Sequence, residues 1–127
     1  MTDTKRILWV AGYRIKEAGY MNVALQAGYD FDFTREFKQS SDALGSVEYG
    51  GLYLADLFFS NSRGENGLAL ITLANKHSVP ILVRAHKAAD EALFKKEGIE
   101  FVSRLKLRIG GERYLMERFG NVFGPAH

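Results

Sequence analysis

The sequence predicts an α/β domain on a doubly wound, five-stranded parallel sheet with strand order 2-1-3-4-5. Three observations carry this prediction. Short apolar runs alternate with helical patterns along the whole chain, as in a parallel sheet covered on both faces. Right-handed crossovers leave few topologies for five such units. In the named order, strands two and five fall at the edges, and these are the two with charged faces, which edge positions tolerate.

Each element has its own warrant. Residues 5–10 (KRILWV) form a short apolar run behind two charges, followed by Gly12, and read as a buried first strand. Residues 13–27 carry Ile15, Ala18, Val23, Ala24 and Ala27 at helical spacing, with Gly28 as the stop. Residues 29–33 (YDFDF) alternate aromatic and acidic side chains, an edge-strand pattern. Residues 34–45 are polar, with Ser40 or Ser41 as a cap for a short helix through Leu44. Residues 51–59 (GLYLADLFF) are the most apolar stretch and predict a central strand with Asp56 near its carboxyl end.

Residues 60–67 (SNSRGENG) read as a loop. A helix follows over 68–76, with Leu68, Ile71, Thr72 and Asn75 at helical spacing. Residues 79–83 (VPILV) form a buried strand, its proline permitted near the start. Residues 88–97 form a helix closed by Gly98. Residues 101–109 are expected as strand five, with Leu105, Leu107 and Ile109 on one face and Arg104, Lys106 and Arg108 on the other. A last amphipathic helix spans 112–119, and 121–127 are expected to be a flexible tail. The whole of 1–127 reads as one domain of flavodoxin-like architecture.

Composition limits the function classes. The chain has 127 residues, of which 46% are hydrophobic and 25% charged, so a wholly disordered chain is excluded. No apolar run reaches the ~18–20 residues of a membrane span. The first apolar run is too short for a secretory leader. The chain has no cysteine, hence no disulfide, thiolate metal site or cysteine nucleophile. These features lead to the expectation of a cytoplasmic protein with no membrane partner. A net charge of +2 does not by itself imply nucleic acid, and no aromatic stacking motif accompanies Arg104, Lys106, Arg108 and Arg113. His77 and His86 lack metal-ligand company. Ser60 and Ser62 lack the G-x-S-x-G pattern of a nucleophile elbow. The segment Ser60-Asn61-Ser62-Arg63-Gly64 has neither the spacing nor the final lysine of a phosphate loop.

In a doubly wound sheet, ligands bind beyond the carboxyl ends of the strands. That edge nominates Ala11, Gly12 and Tyr13 after strand one, residues 56–61 after strand three, residues 84–86 after strand four, and Lys106. Asp56 stands out as the one acid inside an apolar strand.

Here the chain resembles a response-regulator receiver domain. The resemblance runs from Lys5 to Phe119. It rests on Gly28, on Ala55-Asp56-Leu57, on Gly67-Leu68-Ala69-Leu70 and on Val79-Pro80-Ile81-Leu82-Val83, in that order and spacing. It implies a two-component signalling role, with Asp56 on the phosphoacceptor position and Lys106 near the family's lysine. The departures are specific. Receivers carry an acidic pair after strand one to hold Mg²⁺, and this chain has Ala11-Gly12. The family's hydroxyl residue after strand four is replaced by Arg84 or Ala85. The loop after strand three is longer and lacks its proline, and Leu107 follows Lys106 where a proline is usual.

The resemblance therefore implies a metal-independent pseudo-receiver with no cofactor. Its pseudo-active site would comprise Ala11, Gly12, Arg84, His86 and Lys106 around Asp56, with Arg84 and Lys106 both pointing at that carboxylate. Output would pass through a protein partner or a homodimer, with Arg104, Arg108, Tyr114 and Arg118 as the interface. Two alternatives stand beside it. One is a stand-alone receiver phosphorylated on Asp56. The other is a small nucleotide-binding enzyme, because residues 67–71 before Val79-Pro80-Ile81-Leu82 also resemble nucleoside deoxyribosyltransferase-like folds. That family needs a catalytic glutamate about where Ile71 stands, and Glu65 lies about two helical turns away.

Overall fold

The computed structural model describes residues 5–56 and 65–126. Within them the strands are β1 (Arg6–Val10), β2 (Asp30–Thr34), β3 (Gly51–Leu54), β4 (Ile81–Arg84) and β5 (Phe101–Val102). The helices are α1 (Arg14–Gln26), α2 (Phe37–Ser46), α3 (Glu65–Lys76), α4 (Ala88–Glu97) and α5 (Arg104–Phe123). The strands form one parallel sheet in the order β2-β1-β3-β4-β5, as the sequence predicts.

Period-two alternation sorts the side chains into two cores. Ile7, Trp9, Tyr53 and Leu82 face α1 and α5, where they meet Met21, Ala24, Leu115 and Phe119. Leu8, Val10, Leu52, Leu54 and Val83 face the other way, onto Leu44, Leu70, Ala74 and Phe94 of α2, α3 and α4. Burial on both faces is why these strands read as continuous apolar runs. The first core is aromatic: the Trp9 and Tyr53 rings meet edge-on at 4.9 Å, and Tyr53 and Phe119 at 5.1 Å.

Several expectations are corrected. Helix α1 does not bury the face that includes Ile15. It buries Glu17, Met21 and Ala24, and Ile15 is exposed. Ser40 is not a cap. It lies inside α2, where its hydroxyl donates to the Glu36 carbonyl and meets the Thr34 hydroxyl. Strand β3 ends at Leu54, so Asp56 stands beyond the ladder rather than within it.

The largest difference is at β5, which has only two residues; Arg104, Lys106 and Arg108 lie on a helix, not on a strand face. Strand β4 ends at Arg84, whose register partner is Val102, so residues after Val102 have no strand to pair with. Ser103 then caps α5, its side chain accepting from the Lys106 N–H, and the helix starts. The period-two pattern in this stretch is overridden: Leu107 is buried, whereas Leu105 and Ile109 are exposed. The helix is interrupted at Gly111, at φ 57° and ψ −141°, a backbone conformation open essentially to glycine alone.

The segment expected as a tail packs onto the domain through Ala126. Helix α5 runs on to Phe123, which is buried together with Ala126. The Lys5 N–H donates to the Ala126 carbonyl at 2.6 Å, the Tyr29 hydroxyl to the Gly124 carbonyl at 2.7 Å, and the Lys5 ammonium to the Phe123 carbonyl. The apolar Val122 and Phe123 finish the aromatic core that Trp9 begins, which is what holds this segment down.

Candidate functional site at the carboxyl ends of the strands

Parallel strands put all their carboxyl ends at one edge, and residues after β1, β3 and β4 converge there. Ala11 is buried and Gly12 half-buried. A Cβ on Gly12 would stand 3.2 Å from Asp56 Oδ2, so the backbone after β1 lies against the Asp56 carboxylate. His86 joins them: its Nε2 lies 2.7 Å from the Ala55 carbonyl, an acceptor that requires the proton on that nitrogen. Asp90 fixes the approach, its carboxylate accepting from the backbone N–H groups of His86 and Lys87 at 3.0 and 3.1 Å. Ala11, Gly12, Asp56 and His86 therefore meet at one place. Residues 57–64, including the segment 60–64 weighed as a phosphate loop, lie outside the described residues.

Arg84 does not join this group through its guanidinium. It shares a pleat face with Leu82, and that parity sends the side chain beneath α1. There Nη1 and Nη2 donate to the two Glu17 carboxylate oxygens at 2.9 and 2.6 Å, and Nε donates to the Tyr53 hydroxyl at 2.8 Å. The guanidinium also lies over the rings of Tyr20 and Tyr53, at 5.1 and 5.4 Å. The Trp9 indole N–H donates to Glu17 Oε1 at 3.2 Å. Burial alone would lower the Arg84 pKa, but the facing Tyr53 and Glu17 oxygens outweigh it and hold it above its ordinary value. Burial pushes the Tyr53 phenol up. The expected Arg84–Asp56 pairing is thus replaced by a bidentate, buried Arg84–Glu17 pair.

Glu17 is the residue the sequence reading missed. Its signal was present: an arginine ending an apolar strand needs a buried acceptor, and Glu17, Met21 and Ala24 share one helical stripe.

Lys106 lies on the first turn of α5, not at a strand end. With Tyr114 and Arg118 it lines a groove of about 540 Å³ between α4 and α5. The four interface candidates divide. The Tyr114 hydroxyl accepts from the Ser103 N–H, and Arg118 donates to the Phe101 carbonyl and to Glu100. Arg104 and Arg108 are exposed on the segment before the Gly111 break. Ile71, where a deoxyribosyltransferase-like site needs its glutamate, is buried in the core under α2 and α3. Among the described residues, no group of three or more His, Asp or Glu side chains could hold a metal ion.

No protein-family model matches the sequence, and no curated protein matches it. Solved structures do match in shape. The receiver domain of sensor histidine kinase PA1611 from Pseudomonas aeruginosa, determined with magnesium coordinated in its active-site cleft, superposes with a TM-score of 0.70 at 12% identity, over 96% of this chain and 99% of that one. Chemotaxis protein CheY4 of Vibrio cholerae gives 0.73 at 12% identity, over 94% and 99%. The receiver domain of the Francisella response regulator 1452 gives 0.62 at 12% identity, over 89% and 98%. With its five parallel strands in the order 2-1-3-4-5, the chain has the receiver fold.

Proposed function

We propose that this chain is a non-enzymatic signalling module, a pseudo-receiver that works through protein contact without metal or phosphoryl chemistry. The observation that carries the reading is the company Asp56 keeps. Mg²⁺ takes an octahedral shell of several oxygens, usually with one or two carboxylates. Asp56 lies against the backbone at Gly12, and Ala11-Gly12 bring no side-chain oxygen. The next eight residues, LFFSNSRG, contain no acid. Among the described residues, those at this edge do not fit the ion, and no step here passes through one.

Arg84 supports the same reading. A receiver's hydroxyl after strand four, at Arg84 or Ala85 in this chain, would face a phosphoryl group. Arg84 instead joins α1 to β4 through Glu17. Such a pair favours one fixed arrangement of the edge over a two-state switch. The output surface is the α4–α5 side, where the groove lined by Tyr114 and Arg118 offers an aromatic and an arginine of the kind enriched at interfaces.

Amide NMR spectra recorded while Mg²⁺ and then beryllofluoride, a phosphoryl mimic, are added test the reading. It expects no saturable shift at Gly12, Asp56 or His86. Saturable shifts at those amides would make the chain a phosphorylation switch and overturn it.

A further inference from the structure

Helices α1 and α5 both follow parallel strands, so both begin at the carboxyl edge of the sheet. They lie side by side on one face, covering a common core, and Glu112 of α5 reaches Gly19 of α1. Their first turns repeat a pattern: Arg14-Ile15-Lys16 opens α1 and Arg104-Leu105-Lys106 opens α5.

Each buried residue fixes which way its helix faces. Ile15 is two positions from buried Glu17, and Leu105 and Ile109 are each two from buried Leu107. At ~100° per residue, two positions turn a side chain by about 200°, directly away from the core. Ile15 is accordingly 86% exposed, Ile109 79%, Leu105 60%, and the neighbouring Tyr13 62%. Four of the eight large apolar side chains exposed among the described residues thus lie at the starts of α1 and α5.

Residues 13–16 and 104–111 contain five Lys or Arg and no acid. Within these two segments the charge has one sign; Glu17 and Glu112 follow directly, Glu17 buried against Arg84 and Glu112 exposed. Helix first turns favour acids, because the amide dipoles already make that end positive. Cations there cost the fold stability and strengthen a positive field that points outward. Both helix starts lie on the same face of the sheet, so one extended partner can reach both. Arginine and lysine stems can lie along an apolar surface while their heads stay at its polar boundary.

We propose that the outward face of α1 and α5 at this edge is a docking surface for an anionic lipid bilayer, with Ile15, Leu105 and Ile109 entering the headgroup boundary and the flanking cations meeting lipid phosphates. No helix among the described residues is long and apolar enough to cross a membrane. Lying on a membrane needs only an amphipathic face of this kind. The expectation of no membrane partner rested on spans alone. This inference does not depend on the pseudo-receiver reading.

The test is co-sedimentation of the full chain with phosphatidylcholine vesicles, with and without phosphatidylserine. The chain is expected to partition onto the anionic vesicles only, less so at high salt. Arg104→Glu and Arg108→Glu should each weaken partition about fivefold or more. Ile15→Asn with Ile109→Asn, both at exposed positions, should weaken it about as much with no change in net charge. Lys76→Glu, at the far end of α3, should have little effect. Equal binding to neutral vesicles, or no binding to anionic ones, would overturn the proposal. So would an Ile15→Asn/Ile109→Asn variant that binds like the parent, because attraction would then be charge alone. Binding to polyglutamate that anionic vesicles do not displace would assign the surface to an acidic protein instead.

Discussion

Replacing Arg84 by methionine tests the structural argument most directly. Glu17 is 4% exposed and Arg84 9%, and their two hydrogen bonds are 2.6 and 2.9 Å long. The Arg84→Met variant leaves the Glu17 carboxylate buried, with the Trp9 indole N–H as its remaining donor. Removing one member of a buried pair typically costs about 3–5 kcal/mol. Domain stability is about 5–15 kcal/mol, so the loss is a large share of the whole. With a urea m-value of about 2 kcal/mol/M, the unfolding midpoint falls by roughly 1.5–2.5 M.

Glu17→Leu should also destabilise. It strands the guanidinium, although the Tyr53 hydroxyl and two aromatic faces remain around it. The Glu17→Leu/Arg84→Met double variant removes both charges and fills the space with apolar atoms, an exchange that is often neutral or stabilising. Its urea midpoint is expected near the parent's, which makes the double-mutant coupling about 3 kcal/mol or more. Single variants that each lose less than ~1 kcal/mol would refute the account, as would a double variant whose loss equals the sum of the singles. Either result would mean that the pair is hydrated and does not join α1 to β4.

Two further predictions concern other parts of the fold. Phe123→Ala should destabilise by about 3–5 kcal/mol in the same urea assay, because Phe123 is buried against Phe119 at 5.0 Å and against Gly51; a loss under ~1 kcal/mol would restore the view of a loose tail. The Arg6 guanidinium holds the Asp32 carboxyl below its ordinary value of 3.8, against a smaller upward push from burial. A depressed folded-state pKa gives stability that is present above the unfolded value and is lost as pH falls through the folded one. Stability should therefore decline slightly below about pH 4, the effect of this exposed pair being screened by solvent, and Asp32→Asn should flatten that decline in acid-titrated thermal melts.

Strand order and most elements were legible because local pattern and global topology agree. Residues 88–97 read as a helix and α4 spans Ala88–Glu97, closed by Gly98 in the left-handed conformation. Residues 101–109 failed for a physical reason. Their alternation is real, but a strand exists only where a neighbour offers backbone groups, and β4 stops opposite Val102. Local sequence near Ser103 cannot report where a partner some twenty residues earlier ends. The tail misled in the opposite way. Its place at the chain end hid the role of Phe123 and Ala126, whose burial depends on Trp9, Tyr29 and Gly51, all distant in sequence.

The candidate edge was legible in its location and not in its pairings. Gly12, Asp56 and His86 meet because strand ends in a parallel sheet must converge. The pairing of Arg84 turned on pleat parity, which flips with every residue. Had the cation stood at Ala85, it would have entered the core under α2, α3 and α4, where no carboxylate is buried among the described residues. At 84 it enters the α1 side, where Glu17 sits on the stripe of Met21 and Ala24. A charged side chain at the end of a two-sided strand is viable only on the face that holds its counter-charge. The arginine and the misplaced glutamate are therefore one feature. Either residue read alone looks like a surface charge, and read as a pair they fix the register of α1 against the sheet.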